Sequence, residues 1–263
     1  MVGIKTTRQL RTTVATMTDI HIDIKQKTYA AKGSAKAHLA IENFQLSLES
    51  HQFVCLVGSS GCGKTTLLNS IAGLDTDFVG EIIVGEQHIK PKIGYVFQNP
   101  RLLPWRTVRE NIELALENVT QSSEIVDNLL QIMQLNTVQA VYPERLSLGM
   151  SRRVAIIRAF AINPDVLLMD EPFVSLDPPT ARQVRSLLIQ LWQQRPHTVL
   201  FVTHDLREAI ALADKLVFLS PPPMQIISEI PVLIPRNQRD DESVIESFRQ
   251  QLINEYPAIN RLL

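Results

Sequence analysis

Residues 58–66 read Gly58-Ser59-Ser60-Gly61-Cys62-Gly63-Lys64-Thr65-Thr66, a G-x-x-x-x-G-K-T spacing. Glycines at such steps let backbone N–H groups close around a polyphosphate without Cβ clashes. A helix starting there adds unpaired N–H donors and a partial positive charge. A lysine after the last glycine reaches β- and γ-phosphates, and the next hydroxyl can ligate Mg²⁺. Gly58 through Thr66 are therefore candidates for holding nucleotide phosphates, with Lys64 as the cation and Thr65 as a metal ligand. A second pair, Asp170 and Glu171 before Pro172, closes the apolar run Val166–Met169. Asp170 is a candidate for the Mg²⁺ shell. Glu171, one residue on, is a candidate to act on a water attacking the γ-phosphate.

Strands and helices must deliver these groups to one place. Phe53–Val57 is an apolar strand that feeds the glycine loop, and Leu67–Ala72 continues it as a helix. That strand–loop–helix context separates a working loop from a chance match. Val166–Met169 suits a strand covered on both faces of a parallel sheet, whose carboxyl ends are where ligands sit. Ile20, Ile22 and Ile24, then Phe44, Leu46 and Leu48, alternate as strands do, with a turn expected around Lys32-Gly33-Ser34. Glu81–Val84 and Ile93–Phe97 read as two more strands. From Asn99 to Phe160 the pattern turns helical, with Thr107 set to cap a helix through Glu110. Ile125, Val126, Leu129, Leu130, Ile132 and Met133 share one helical face. Val184, Leu187, Leu188, Leu191 and Trp192 form another, on which the tryptophan is core. Thr198–Val202 reads as a strand ending in Thr203-His204-Asp205, followed by a helix and a strand over Lys215–Leu219. Val244, Ile245, Phe248, Leu252 and Tyr256 predict a C-terminal helix packed on its own domain, with a dimer or regulatory contact as the alternative.

With 263 residues, 45% hydrophobic and 20% charged, the chain can bury one large α/β core with a subdomain. Its net charge of −1 provides no basic field for nucleic acid. No apolar run approaches the ~18–20 residues that span a bilayer, and no secretory leader is evident. Cys55 and Cys62 are read as reduced thiols, one buried in a strand and one in the loop. Residues 1–16 read as a flexible tail; a transit peptide or a translation start at Met17 remain open.

Taken together and in order, these motifs resemble the ATP-binding subunit of an ABC transporter over about residues 18–235. Asn99–Asn111 (Asn-Pro-Arg-Leu-Leu-Pro-Trp-Arg-Thr-Val-Arg-Glu-Asn) and Asp170–Asp177 are most similar to the importer family for nitrate, sulfonates and taurine. The resemblance implies a P-loop α/β fold with a RecA-like parallel sheet core. An N-terminal antiparallel β subdomain and an α-helical subdomain at about 99–160 would complete a domain over 17–235, followed by a helical extension at 236–263. It implies ATP and Mg²⁺ as cofactors. It implies Gln98 as a glutamine sensing Mg²⁺ or the γ-phosphate, His204 as a catalytic histidine, Tyr29 as the aromatic that stacks on adenine, and Ser175–Asp177 as the D-loop. The partners implied are a second copy in a head-to-tail dimer, transmembrane permease subunits and an extracytoplasmic solute-binding protein, with the chain peripheral on the cytoplasmic face of the inner membrane.

The signature segment departs from the family. It reads Leu146-Ser147-Leu148-Gly149-Met150-Ser151-Arg152-Arg153. Ser147 and Gly149 are kept to face a nucleotide held by the second copy. Leu148 replaces a glycine and Arg152 stands where glutamine is usual. If that glycine needed a positive φ, Leu148 would cost about 1–2 kcal/mol; in a helical conformation the cost is small. The residues leave two other readings standing: a non-transport ATPase of the same family acting on nucleic acid or ribosomes, and a weakly hydrolysing ATP-dependent scaffold. Against the first, the chain has no long coiled-coil insert, zinc-type cysteine set or basic patch.

Overall fold

The computed structural model describes residues 19–31, 37–84, 91–116, 119–257 and 259. The expected tail at 1–16 and the expected turn at Lys32-Gly33-Ser34 lie outside them. In chain order the elements begin with β1 (Ile20–Tyr29), β2 (His38–Leu48), β3 (Phe53–Val57), α1 (Lys64–Ile71), β4 (Val79–Val84) and β5 (Ile93–Val96). Three helices follow, α2 (Val108–Glu113), α3 (Val119–Ile132) and α4 (Leu148–Ala161). The chain then runs β6 (Val166–Asp170), α5 (Pro178–Gln194), β7 (Thr198–Thr203), α6 (Leu206–Leu212), β8 (Lys215–Leu219), β9 (Ile226–Pro231) and α7 (Glu242–Glu255).

Uninterrupted apolar strands belong in a sheet covered on both faces, and every residue of β3, β6 and β7 is buried. They lie in a six-stranded sheet ordered β5-β6-β7-β3-β8-β9. Its first five strands run parallel, and β9 pairs antiparallel with β8 at the edge. Alternate residues of β3 point to opposite sides. Phe53, Cys55 and Val57 enter a core shared with the helices, while Val54 and Leu56 enter a second core against α1 and the N-terminal strands. Those strands form a separate antiparallel sheet ordered β2-β1-β4.

The helical stripes land as their spacing predicts. Val126, Leu129 and Leu130 on α3 and Met133 just after it are buried, as are Val184, Leu187, Leu188, Leu191 and Trp192 on α5. Helix α7 buries Ile245 and Leu252 and packs on α6. The helical pattern over Asn99–Phe160 is interrupted, and its first helix begins only at Val108. Thr107 caps that helix, accepting from Glu110 N at 3.3 Å, while Glu110 Oε2 accepts from Thr107 N at 2.7 Å. The loop before it winds around the buried Asn111 side chain. Asn111 Oδ1 accepts from Leu103 N at 2.7 Å, and its amide donates to the carbonyls of Leu103, Arg106 and Thr107.

Candidate functional site

In the parallel sheet, β6, β7 and β3 are consecutive neighbours. Their carboxyl ends therefore bring three segments together: the glycine loop after β3, Asp170–Glu171 after β6 and His204 after β7. Gln98 follows β5, next to β6.

The loop leaves β3 and enters α1 through Gly63, whose φ of 113° is left-handed. Only glycine adopts that conformation cheaply. A Cβ there would also come within 3.3 Å of the Ala40 carbonyl. Lys64 opens the helix and is only 5% exposed. Its ammonium donates to Gly58 O at 2.8 Å and Ser59 O at 3.0 Å, and lies 3.5 Å from Glu171 Oε1. Thr65 donates to Asp170 Oδ2 at 2.9 Å. Burial pushes the Asp170 carboxyl above its ordinary range, and the Thr65 hydrogen bond opposes that shift. Glu171 sits at φ 42°, its N–H donating to Val202 O at 3.0 Å. Its second carboxylate oxygen lies 3.3 Å from His204 Nδ1. Ser60, Gly61, Gly63, Lys64, Thr65, Thr66, Gln98, Asp170 and Glu171 line a cavity of about 270 Å³.

This donor set fits a nucleotide polyphosphate. A cation and a helix N-terminus face the cavity from the loop, and neutral or anionic oxygens face it from the other side. Among the described residues no group of three or more His, Cys, Asp and Glu could hold a metal by itself. Thr65 and Asp170 supply two hard oxygens, which suits Mg²⁺, an ion held by one or two protein oxygens with the rest from phosphate and water. Cys62 lies in the loop as expected. Its side chain is buried beneath the loop and burial pushes the thiol up, so only its backbone is available to a ligand.

Tyr29 ends β1 beside the first turn of α1. Its hydroxyl lies 3.1 Å from Thr66 Oγ1 and donates to Asp75 Oδ2 at 3.4 Å, and the ring is 42% exposed. Beneath it Lys27 is buried, donating to Asp75 Oδ1 at 2.8 Å and Asp77 O at 2.7 Å, with its ammonium 4.7 Å from the ring centroid. The sequence pattern misses Lys27. Continuing the alternation of Ile20, Ile22 and Ile24 would turn it outward, but the register shifts between Ile24 and Gln26 against β4. Such a slip exchanges the faces of a strand.

The sequence profile of the ABC transporter family matches residues 41–174. The aliphatic sulfonates import ATP-binding protein SsuB of Bacillus cereus is 41% identical over 221 residues, covering 82% of this chain and 88% of that protein. The nitrate import ATP-binding protein NrtD of Synechococcus elongatus is 37% identical over 239 residues, covering 88% of this chain and 86% of its own length. The chain belongs to the ABC transporter family. Its fold agrees with that of a solved ATP-binding cassette, the dimeric MJ0796 in a post-hydrolysis state bound to ADP and Pi. The TM-score is 0.68 and the identity 28%, over 82% of this chain and all of the other.

In this ABC ATPase the signature lies away from the loop cavity. Ser147 caps α4, its hydroxyl oxygen accepting from Met150 N at 3.2 Å. Leu148 is the first residue of the helix, with no positive φ, and is 43% exposed. The conformational penalty of a leucine in a glycine's place is therefore absent. Gly149 faces inward, where a Cβ would meet Thr180 Cγ2 at 2.6 Å. Asp177 caps α5, accepting from Thr180 N at 3.1 Å, and Ser175 before it sits at φ 66°.

Proposed function

We propose that the chain binds ATP and Mg²⁺ in the loop cavity and hydrolyses ATP in a head-to-tail pair, powering an importer for a small solute of the sulfonate, taurine or nitrate kind. The observation that carries this reading is the convergence of Lys64, the Thr65–Asp170 pair, Gln98 and the Glu171–His204 pair at the carboxyl ends of β3, β5, β6 and β7. The substrate class rests on the import systems named for the relatives.

In this reading the loop amides and Lys64 hold the β- and γ-phosphates. Lys64 already rests against two carbonyls and Glu171, so ATP exchanges those contacts for phosphate oxygens. Bound Mg²⁺ supplies charge neutralisation on the phosphate oxygens. Thr65, Asp170 and Gln98 are the residues that would hold it. Glu171 orients the attacking water and accepts its proton, while His204 fixes the Glu171 carboxylate and faces the γ-phosphate. Tyr29 offers its exposed ring to adenine. Ser147 and the α4 N-terminus of a second copy complete the γ-phosphate site, which turns hydrolysis into opening and closing of the pair.

Trp105, in the loop before α2, is 68% exposed, and Leu114 and Tyr142 within residues 99–160 are exposed as well. These side chains give a transmembrane permease an apolar surface, holding the chain at the cytoplasmic face of the membrane. An extracytoplasmic binding protein delivers solute to that permease. The test is ATP affinity and turnover of the purified chain, alone and with its permease. Lys64→Ala is expected to weaken ATP binding at least about 100-fold, since it leaves phosphate charge unmatched in a buried loop. Unchanged affinity in that variant refutes the assignment of the cavity.

A further inference from the structure

The second turn of α4 carries an arginine whose environment the ATP site does not explain. Arg152 is 4% exposed. No carboxylate partners it among the described residues, and burial lowers its affinity for a proton. A guanidinium so placed costs desolvation free energy unless its donors are met. Two of them are. Nη1 donates to the Gln98 carbonyl, and Nη2 donates to the Val174 carbonyl at 3.3 Å. Nε has no partner.

Those carbonyls belong to the two loops that face the nucleotide cavity. Gln98 lines it directly, as does Glu171. Val174 closes the turn begun at Glu171, its N–H donating to Glu171 O at 3.2 Å. One cation thus braces both loops from behind. Arg158, further along α4, extends the contact by donating to Pro100 O at 2.8 Å and Arg101 O at 2.9 Å. Ser147 caps the same helix, which packs on α5 so closely at Gly149 that an added Cβ would meet Thr180 Cγ2 at 2.6 Å.

We propose that Arg152 is a positioning residue that ties the Gln98 loop and the Glu171 turn to the signature helix, so that movement of Ser147 in one part of the chain is transmitted to Gln98 in its own ATP cavity. This rests on the reading of that cavity as the site of hydrolysis. A rigid helix and a forked cation on two carbonyls suit the task, because the guanidinium holds both acceptors in one plane. Arg152 touches neither loop's side chains in these contacts, so it acts through the backbone positions of Gln98 and Val174.

The test is a double-mutant cycle on the full chain with hydrogen exchange as a second readout. Arg152→Met is expected to lower kcat about tenfold, leaving KM for ATP within about twofold, because two charge-assisted contacts that position the loops are lost while the glycine loop is untouched. In a Gln98→Ala background, itself slowed, the same change is expected to cost less than about twofold. Amides at 98–101 and 174–176 of the nucleotide-free variant should exchange faster, with 154–161 unchanged. Equal losses in both backgrounds, a fully active Gln98→Ala, or unchanged exchange at 98–101 each overturn the proposal. If Arg152→Met loosens α4 as a whole, Arg152→Lys replaces it in the same cycle. It keeps the cation and serves one carbonyl, and an equal loss in both backgrounds again overturns the proposal. If the wild-type chain hydrolyses no ATP, the function proposed above fails, and the exchange experiment still decides whether Arg152 braces the loops.

Discussion

The loop cavity and the signature surface face the same chemistry with opposite degrees of completion. Around the cavity Lys64, Thr65, Thr66, Asp170 and Glu171 already have partners inside the chain. Lys64 rests on two carbonyls and Glu171, Thr65 on Asp170, and Glu171 on His204. At the signature, Ser147 and Leu148 are exposed, and the serine hydroxyl serves only the end of its own helix. The cavity is preorganised, so changes there should act on chemistry within one chain. In the proposed function the signature is a prepared edge that gains a role when a second copy meets it. Mutations that separate binding, turnover and folding test that division.

The largest effect is expected at Glu171. Glu171→Gln keeps the shape beside Lys64 and His204 but removes the basic carboxylate. Turnover should fall by about 10²–10⁴-fold, with ATP affinity retained, because the glycine loop and Lys64 are untouched. With hydrolysis blocked, ATP should hold two chains together, visible as an ATP-dependent rise in mass by light scattering. Wild-type turnover would show that another group handles the water. Blocked turnover without a mass change would break the comparison at its second half, since the signature would then need no partner copy.

Gly149 is the next test, and the structure changes its meaning. The signature glycine is expected to matter for approach to a phosphate across an interface. Here the nearest obstacle to a side chain is Thr180 Cγ2 of the same chain, 2.6 Å from a built Cβ. Gly149→Ala should therefore destabilise the isolated chain by about 1–3 kcal/mol, the usual cost of overpacking, read by chemical denaturation. Thr180→Ser removes the offending methyl and should restore most of the loss. A Gly149→Ala chain of normal stability whose assembled complex is inactive would assign the glycine wholly to the interface.

That contact also marks where the sequence stops being readable. The parallel sheet was legible because β3, β6 and β7 are buried on both faces and so are apolar without interruption. Helices α3 and α5 were legible because one buried stripe repeats at the helical period. Strand β9 was missed: it is an edge strand paired on one side only, so burial imposes no continuous apolar run on it. Lys27 was hidden by a register shift, and the closeness of Gly149 to Thr180 joins distant parts of the chain through tertiary packing. The side chains of the ATP cavity were named from motifs, whereas the backbone contacts of Arg152 and Arg158 lie beyond any local pattern. Local spacing reports which groups an element offers; it does not report what packs behind them.

Glu208, on α6, lines a neighbouring cavity together with Glu171 and His204, and a change there is expected to have a smaller effect. Burial raises its carboxyl to about 7, with the Thr203 hydroxyl lowering it, Asp205 raising it, and Arg185 and His204 lowering it. Thr203 Oγ1 donates to Glu208 Oε2 at 2.8 Å. Because the folded-state value lies above the ordinary carboxyl value, the folded chain binds more protons than the unfolded chain between pH ~4.5 and 7. Its contribution is fully present below that window and is lost as pH rises through it. Glu208→Gln is neutral at every pH and can still accept from Thr203. It should stabilise the chain relative to wild type at pH 8 by on the order of 1–2 kcal/mol after solvent screening, and by little at pH 4. A pH-independent difference in unfolding free energy would mean that folding does not raise the Glu208 carboxyl above its ordinary range.

The smallest effect is expected at Leu148, where the sequence departs most visibly from its family. As the first residue of α4 it has ordinary helical geometry, and its side chain is largely in solvent. Leu148→Gly therefore removes little packing and relieves no backbone strain. It adds only the entropic cost of glycine in a helical position, at most about 1 kcal/mol. Stability should fall slightly and ATP affinity should not change. ATPase activity of the assembled transporter should stay level or rise, since glycine gives a second copy's nucleotide closer access to the α4 backbone. The measurement is turnover of the complex beside nucleotide affinity of the isolated chain. If turnover collapses while affinity and folding hold, Leu148 buries itself against the second copy. The edge described above would then be an apolar contact as well as a phosphate contact, and the division between a complete cavity and a bare signature would have to be redrawn with Leu148 as part of the interface.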